Sequence, residues 1–287
     1  MGTYVVRIRC ESPYLTPWRN ATLWGRMAWA AASGAAPGWA GEDLAVWAGM
    51  GELPLVVGDA FPYDAVPVPA ACLARSDGAA KRPKALPWPD WLRLCADGAW
   101  PDAPAAPAHE VERTHVSLSR TTGAAIDGQL RSEVGWQPPE GVVFVAILSE
   151  EMEEAAFRAL LEVLCSEGWG YGRSYGYGAL ALRSVERVEP PPDGAHRVAL
   201  GHLHPTDDLP AEGWWRWASV PVLPHDPTTR RAILPHRYAA MLAPGATFAA
   251  GGAASGARLG RVIMPEIPGH PDYAHYGVAP AWPVHLS

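Results

Sequence analysis

The sequence predicts an α+β fold, and three local patterns carry that prediction. Residues 3–10 (Thr-Tyr-Val-Val-Arg-Ile-Arg-Cys) alternate apolar and polar side chains, as a half-buried strand does. Residues 141–148 (Gly-Val-Val-Phe-Val-Ala-Ile-Leu) form a continuous apolar run suited to the centre of a sheet, and an amphipathic helical pattern follows directly. Five glycines at 168, 170, 172, 176 and 178 then separate that helix from a strand-like run at about 179–187.

Taken in chain order, Pro13 and Pro17 break the first strand, and Thr22 can N-cap a helix over roughly 23–33 with Leu23, Met27 and Ala30 on one face. Pro37 and Gly38 end it. Residues 53–73 hold short apolar runs interrupted by Pro54, Pro62, Pro67 and Pro69, which read as extended edge segments. Residues from about 74 to 110 are rich in Pro and Ala, with Lys81, Arg82 and Lys84 near the start, and read as a mobile insertion. Residues 114–119 and 141–148 read as a strand pair. Ser149 is placed as the cap of a helix running to about Ser166, with Met152, Ala156, Leu160, Leu161 and Leu164 at helical spacing. The resulting order, β-α-β-β-α-β, is the ferredoxin-like or RRM-like arrangement, whose sheet face is widely used for RNA. Pro190–Pro192 mark a boundary, giving a first domain at 1–189 and a second at 190–287. The second half shows readable strands at 196–203, 217–223 and 259–264, and is expected to be a degenerate ferredoxin-like unit.

At 287 residues, 48% hydrophobic and 18% charged, the chain can bury two cores. A formal charge of −7 argues against indiscriminate nucleic-acid binding but leaves room for a local basic groove. Glu150, Glu151, Glu153 and Glu154 are assigned to a helix start, where they complement the dipole. Cys10, Cys72, Cys95 and Cys165 are widely spaced and read as reduced core thiols. No signal peptide or spanning apolar run is visible, so a soluble cytoplasmic protein is expected.

The chemistry concentrates in two stretches. Gly168-Trp-Gly-Tyr-Gly-Arg-Ser-Tyr-Gly-Tyr-Gly178 combines glycines, which let a backbone approach an anion, with Arg173 and with Trp169, Tyr171, Tyr175 and Tyr177, which can stack on bases. The structural alternative is a tight helix-to-strand connection. The loop lacks the Gly-Lys-Ser/Thr ending of an NTPase loop, and it follows a helix rather than a first strand, which argues against a dinucleotide fold. Residues 113–131 carry Arg113, Arg120 and Arg131 with hydroxyls and Gly123 in a hairpin, donors that suit phosphate. Ordinary surface arginines are the plain alternative. His202 and His204 form a His-x-His pair without a completing cluster, so no metal is expected. His115, near arginines, could serve as a general base in RNA cleavage, with a hydrogen-bonded surface histidine preferred. Trp214, Trp215 and Trp217 form an aromatic cluster in which at least one member is expected in the core.

These stretches, in this order, resemble the RAMP superfamily of CRISPR effector subunits, and within it the Cas5 group of type III-A (Csm) complexes. The resemblance spans residues 3–187 and rests on Ala-Thr-Leu-Trp-Gly-Arg at 21–26, Asp-Ala-Phe-Pro-Tyr with Pro-Val-Pro at 59–69, the Arg120-Thr-Thr-Gly123 hairpin and the Gly-Arg-Ser-Tyr-Gly-Tyr-Gly loop ending. The second domain matches loosely, through Pro235-His236-Arg237 and the stretch from Pro244 to Phe248. The resemblance implies a non-catalytic subunit without cofactor that holds the 5′ repeat-derived tag of crRNA. Its implied partners are the large palm-domain subunit, the RAMP backbone subunit and, indirectly, target RNA, with no membrane. The residues implied to touch RNA are Arg19, Arg26, His115, Arg120, Thr121, Thr122, Gly123 and Arg131 on the helix and hairpin. Gly168, Gly170, Tyr171, Gly172, Arg173, Ser174, Tyr175 and Gly176 are implied in the loop, and His236 and Arg237 in the second domain. The equivalent subunit of a type III-B, III-D or IV complex, an endoribonuclease processing precursor crRNA, and a purely structural scaffold stand as alternatives.

Overall fold

Alternation at the start of the chain becomes strand β1 (Gly2–Cys10), which sends Tyr4, Val6 and Ile8 into one core and Val5 into another. The computed structural model describes residues 1–35, 53–74, 82–101, 110–191, 194–210, 212–222, 237–251, 257–264 and 274–286. After β1 come α1 (Asn20–Ala32), β2 (Leu55–Val57), β3 (Phe61–Pro62), β4 (Val66–Pro67), α2 (Ala70–Ala74), β5 (Ala85–Leu86) and α3 (Trp88–Asp97). The first half closes with β6 (Glu110–Leu118), β7 (Ala125–Trp136), β8 (Val142–Leu148), α4 (Glu154–Glu167) and β9 (Leu180–Val188).

The main sheet runs β2-β8-β1-β9, antiparallel throughout, with β3 also on β8. This is the ferredoxin-like order, yet its second strand is Leu55–Val57 rather than residues 114–119. Those residues pair instead with β7 in a separate two-stranded ribbon, where alternate side chains face solvent on a polar-rich strand. The three-residue β2 is fully buried and too short to stand out among prolines.

Two helix starts also differ from expectation. Helix α1 begins at Asn20, and the Oδ1 of Asp59 accepts its first N–H at 2.8 Å, so the cap comes from a distant loop and not from Thr22. Helix α4 begins at Glu154, because the Ser149 hydroxyl closes a turn on the Glu151 N–H (3.2 Å) before the helix. Glu154 in its first turn pairs with Arg158 one turn on, at 2.7 Å.

Helices α1 and α4 cover the Tyr4, Val6 and Ile8 face of the sheet. Val5, Val143 and Val145 on the opposite face meet α3 together with Val198, Trp282 and Val284 of the second half. The stretch read as an insertion therefore contributes a core helix: Trp88 stacks on Trp91 (5.2 Å, 9°), and Trp282 meets both edge-on. This part of the sheet face, the one an RRM would show to RNA, is occupied by protein.

The second half contains β10 (His196–Ala199), β11 (Gly213–Trp214), β12 (Trp217–Val222), β13 (Arg237–Leu242), β14 (Thr247–Ala249), β15 (Arg258–Gly260) and β16 (Val278–Val284). Five of these form a sheet of order β11-β14-β10-β16-β15, and β12–β13 is a ribbon. Among the described residues this half has no α-helix, which is where it departs from a full ferredoxin-like unit.

A buried polar node joins the halves. Asp59 Oδ2 lies 2.7 Å from His202 Nδ1, and the Asn20 amide donates to His202 O (2.7 Å) and Val278 O (2.9 Å). Trp24 stacks on Tyr276 beside it (5.0 Å, 12°). A side chain at Gly58 would meet Leu200 O at 2.5 Å, so this crossing tolerates only glycine. Among the described residues no helix is long and apolar enough to cross a membrane.

Behind the node, His204 Nε2 and His275 Nδ1 share a hydrogen bond of 2.7 Å in a buried site. Burial first, and then the neighbouring His275, pushes the His204 imidazole down to about 4; burial pushes His275 down to about 4 as well. The unfolded chain takes up these protons near pH 6.5, so the stability that the neutral pair contributes is intact above 6.5 and is lost as the pH falls towards 4. Thermal unfolding followed across this window is expected to show a falling Tm, with a shallower slope in His275→Gln; identical slopes in the two proteins would contradict this.

Candidate nucleic-acid interface

The glycine loop is built around Trp169. Its indole is fully buried, stacks on Trp18 (4.1 Å, 3°) and donates to Thr16 O at 2.8 Å. Its backbone N–H closes the loop on Gly178 O at 2.8 Å. All five glycines have positive φ. A Cβ would lie 2.7 Å from Gly178 O at Gly168, 2.5 Å from Thr16 at Gly170, 2.9 Å from Tyr177 at Gly172 and 2.0 Å from Trp169 O at Gly178. The loop's own packing thus demands four of them without any appeal to a ligand.

Those side chains are fewer than the sequence suggested. Trp169 and Tyr177 are buried and cannot stack on a base; the Tyr177 hydroxyl is held by His115 Nε2 at 3.1 Å. Tyr171 is 60% exposed, sits edge-on to Tyr175 (5.8 Å), and is tied back by its N–H to Thr16 Oγ1 (2.9 Å). Arg173 and Ser174 are exposed on a single 3₁₀ turn between Gly172 and Gly176. Arg173 Nη1 donates to Glu167 O (3.1 Å) at the end of α4, and Glu167 also holds Arg26 of α1 in an ion pair. Burial and the adjacent Arg173 charge pull the Arg26 guanidinium below its usual range, against the opposing effect of Glu167. One arginine from α1 and one from the loop are therefore brought together at the α4 C-terminus. Arg19 is half-buried just before α1.

On the other side the loop meets the base of the β6–β7 ribbon. Arg113 Nη1 donates to Gly176 O (2.9 Å) with its guanidinium 5.3 Å over Tyr177. His115 sits edge-on to Tyr175 (5.4 Å), and Arg131 lies 5.6 Å over the same ring. Desolvation, followed by Tyr171 and the Glu133 charge, pushes the Tyr175 phenol up to about 12, so it remains a neutral donor. His115 thus positions Tyr177, and its Nε2 is engaged by a buried hydroxyl.

The turn at Arg120–Gly123 is a tip, not part of this cluster. It lies past Leu118, the last strand residue, which is itself about 10 Å beyond His115 at roughly 3.3 Å per residue. Ser119 Oγ accepts the Thr121 and Thr122 N–H groups at 3.3 Å each, and Arg120, Thr121, Thr122 and Gly123 are exposed. His236 and the Arg237 side chain lie outside the described residues. Glu133 and Trp18 were missed by sequence reasoning as parts of the site, whereas Arg113 was named among the hairpin donors. Strand parity could have found Glu133, since it faces Arg113 in the register. In the tryptophan cluster, Trp215 stacks on Phe248 (5.5 Å), Trp214 is half-buried and Trp217 is exposed, so none of the three belongs to the core. Among the described residues no group of three His, Cys, Asp or Glu side chains could hold a metal ion.

No protein-family model matches the chain, and no curated protein matches it significantly. Solved structures do. A chain of a Csm1–Csm4 cassette in complex with cA4 matches with a TM-score of 0.59 at 16% identity, covering 100% of this chain and 99% of that one. The same cassette in complex with one ATP gives 0.59 at 15% identity, with the same coverage. A chain of a Csm3–Csm4 subcomplex from the type III-A CRISPR-Cas interference complex gives 0.51 at 12% identity, covering 99% of this chain and 100% of that one. At these identities the likeness is one of fold: over its whole length the chain shares the fold of a chain in each of these Csm assemblies, in agreement with the resemblance carried by its motifs.

Gly178→Ala would place a methyl against Trp169 O at a φ of +67°. It is expected to destabilise by about 3 kcal/mol or more. Gly123→Ala meets nothing within 4 Å, and only its left-handed backbone costs about 1–2 kcal/mol. Chemical denaturation of the two variants checks the difference; equal effects would mean that the loop is not closed as described.

Proposed function

We propose that this chain is a non-catalytic, crRNA-binding subunit of a type III CRISPR effector complex. In this reading it holds the 5′ repeat-derived tag and bridges the large palm-domain subunit to the RAMP backbone subunits. Target RNA is met only through the assembly. The observation that carries the reading is the full-length Csm4-like fold with an arginine- and tyrosine-bearing loop set against Arg113 and Arg131 of the ribbon base. Guanidinium groups of Arg26, Arg173 and Arg131 suit backbone phosphates, and the exposed Tyr171 ring suits a base. The negative net charge of −7 is compatible with this, because affinity in such an assembly is shared among its subunits.

The test is affinity purification of the tagged chain from cells that carry its complex, followed by sequencing of the bound RNA. Short RNAs with a uniform 5′ tag and co-purifying large and backbone subunits are expected. A monomer free of such RNA would sink the proposal. Arg120→Ala and Arg173→Ala, both at exposed positions, are each expected to weaken RNA binding by about 1–3 kcal/mol, as read by titration.

A further inference from the structure

Glu133 stands in the middle of a cluster otherwise suited to phosphate, and its charge is wrong for a phosphate. Its cross-strand neighbour is Arg113, yet that guanidinium turns away to Gly176 O and the Tyr177 ring. The contacts left to the carboxylate are long: Arg131 Nη2 is 3.5 Å from Oε1, and His115 Nε2 is 3.7 Å from Oε2. Oε2 is buried and has no hydrogen-bond partner. A buried acceptor without a donor is a costly arrangement to retain unless something else supplies the donor.

We infer, resting on the RNA-binding reading above, that Glu133 makes this site selective for guanine, accepting the N1–H and N2–H of the base with its two carboxylate oxygens. An ionised carboxylate only accepts hydrogen bonds, so it discriminates bases by the donors they present. Guanine alone carries two adjacent donors on its Watson–Crick edge. Adenine presents one donor beside an acceptor, cytosine one donor beside two acceptors, and uracil one donor between two acceptors. Proteins read single-stranded RNA on these edges while stacking the base on an aromatic ring or an arginine plane. The Arg131 guanidinium supplies such a plane beside Glu133, and the exposed Tyr171 ring, edge-on to Tyr175 under that arginine, supplies another nearby. The Glu133 side chain is 19% exposed. Its terminal torsion is only weakly constrained, so a modest rotation presents both oxygens to an incoming edge.

The experiment titrates the purified full-length chain with labelled uridine octamers in which one position is guanosine, adenosine, cytidine or uridine. The guanosine octamer is expected to bind about ten-fold or more tightly than the others, the scale of one good bidentate base contact. In Glu133→Gln, which offers a donor in place of one acceptor, the four octamers are expected to bind within about two-fold of one another, with uridine octamer affinity kept or improved. Equal binding of all four by the wild-type chain overturns the guanine assignment and leaves RNA binding standing. A guanosine preference that survives in Glu133→Gln overturns the role of Glu133. Failure of every octamer to bind removes the RNA-binding reading and this inference with it.

Discussion

Trp169 is clamped from two directions, and the candidate interface depends on that clamp. Its ring lies flat on Trp18, while its backbone closes on Gly178 and leaves no space for a side chain at either end of the loop. With the ends pinned, residues 170–177 must turn within a small circumference, which requires the positive φ angles at Gly170, Gly172 and Gly176. The same closure sets Tyr171, Arg173 and Ser174 outward and tucks Tyr177 under His115. A rigid loop of this kind loses little conformational entropy when a ligand settles on it.

The two halves of the chain are coupled by a different device. Asp59 caps α1 through Asn20 and at the same time takes His202 from the second half, so one carboxylate serves helix start and domain contact together. α3 and the second sheet occupy part of the β1–β8 face, and the arginines and tyrosines proposed to meet RNA lie on the loop and the ribbon instead. The opposite ribbon face shows Val116, Leu130 and Val134 to solvent.

Much of this was legible in the residues because it is local. The alternation of β1, the apolar run of β8, the helix before the glycines and the strand after them carry their periodicity within a few residues. What escaped depends on tertiary partners. Leu55–Val57 becomes a sheet strand only by pairing with β8, and Trp88 and Trp91 make a core helix only because Trp282 arrives from the far end of the chain. In the site, the arginine-and-tyrosine chemistry was visible, but not its division. Burial removes Trp169 and Tyr177 from any base, and register brings Arg113, His115, Arg131 and Glu133 to the loop while the Arg120–Gly123 tip stands apart.

The central claim is that the outer edge of this clamped loop, with the ribbon base beside it, grips RNA. Ultraviolet crosslinking of the RNA-bearing protein isolated from cells, with the modified residues located by peptide mass spectrometry, tests it most directly. A nucleotide adduct is expected within residues 168–178, at Tyr171, and a second on the β6–β7 ribbon. Adducts confined to the exposed Trp217 and Tyr238 of the other ribbon, with residues 168–178 unmodified, would contradict it.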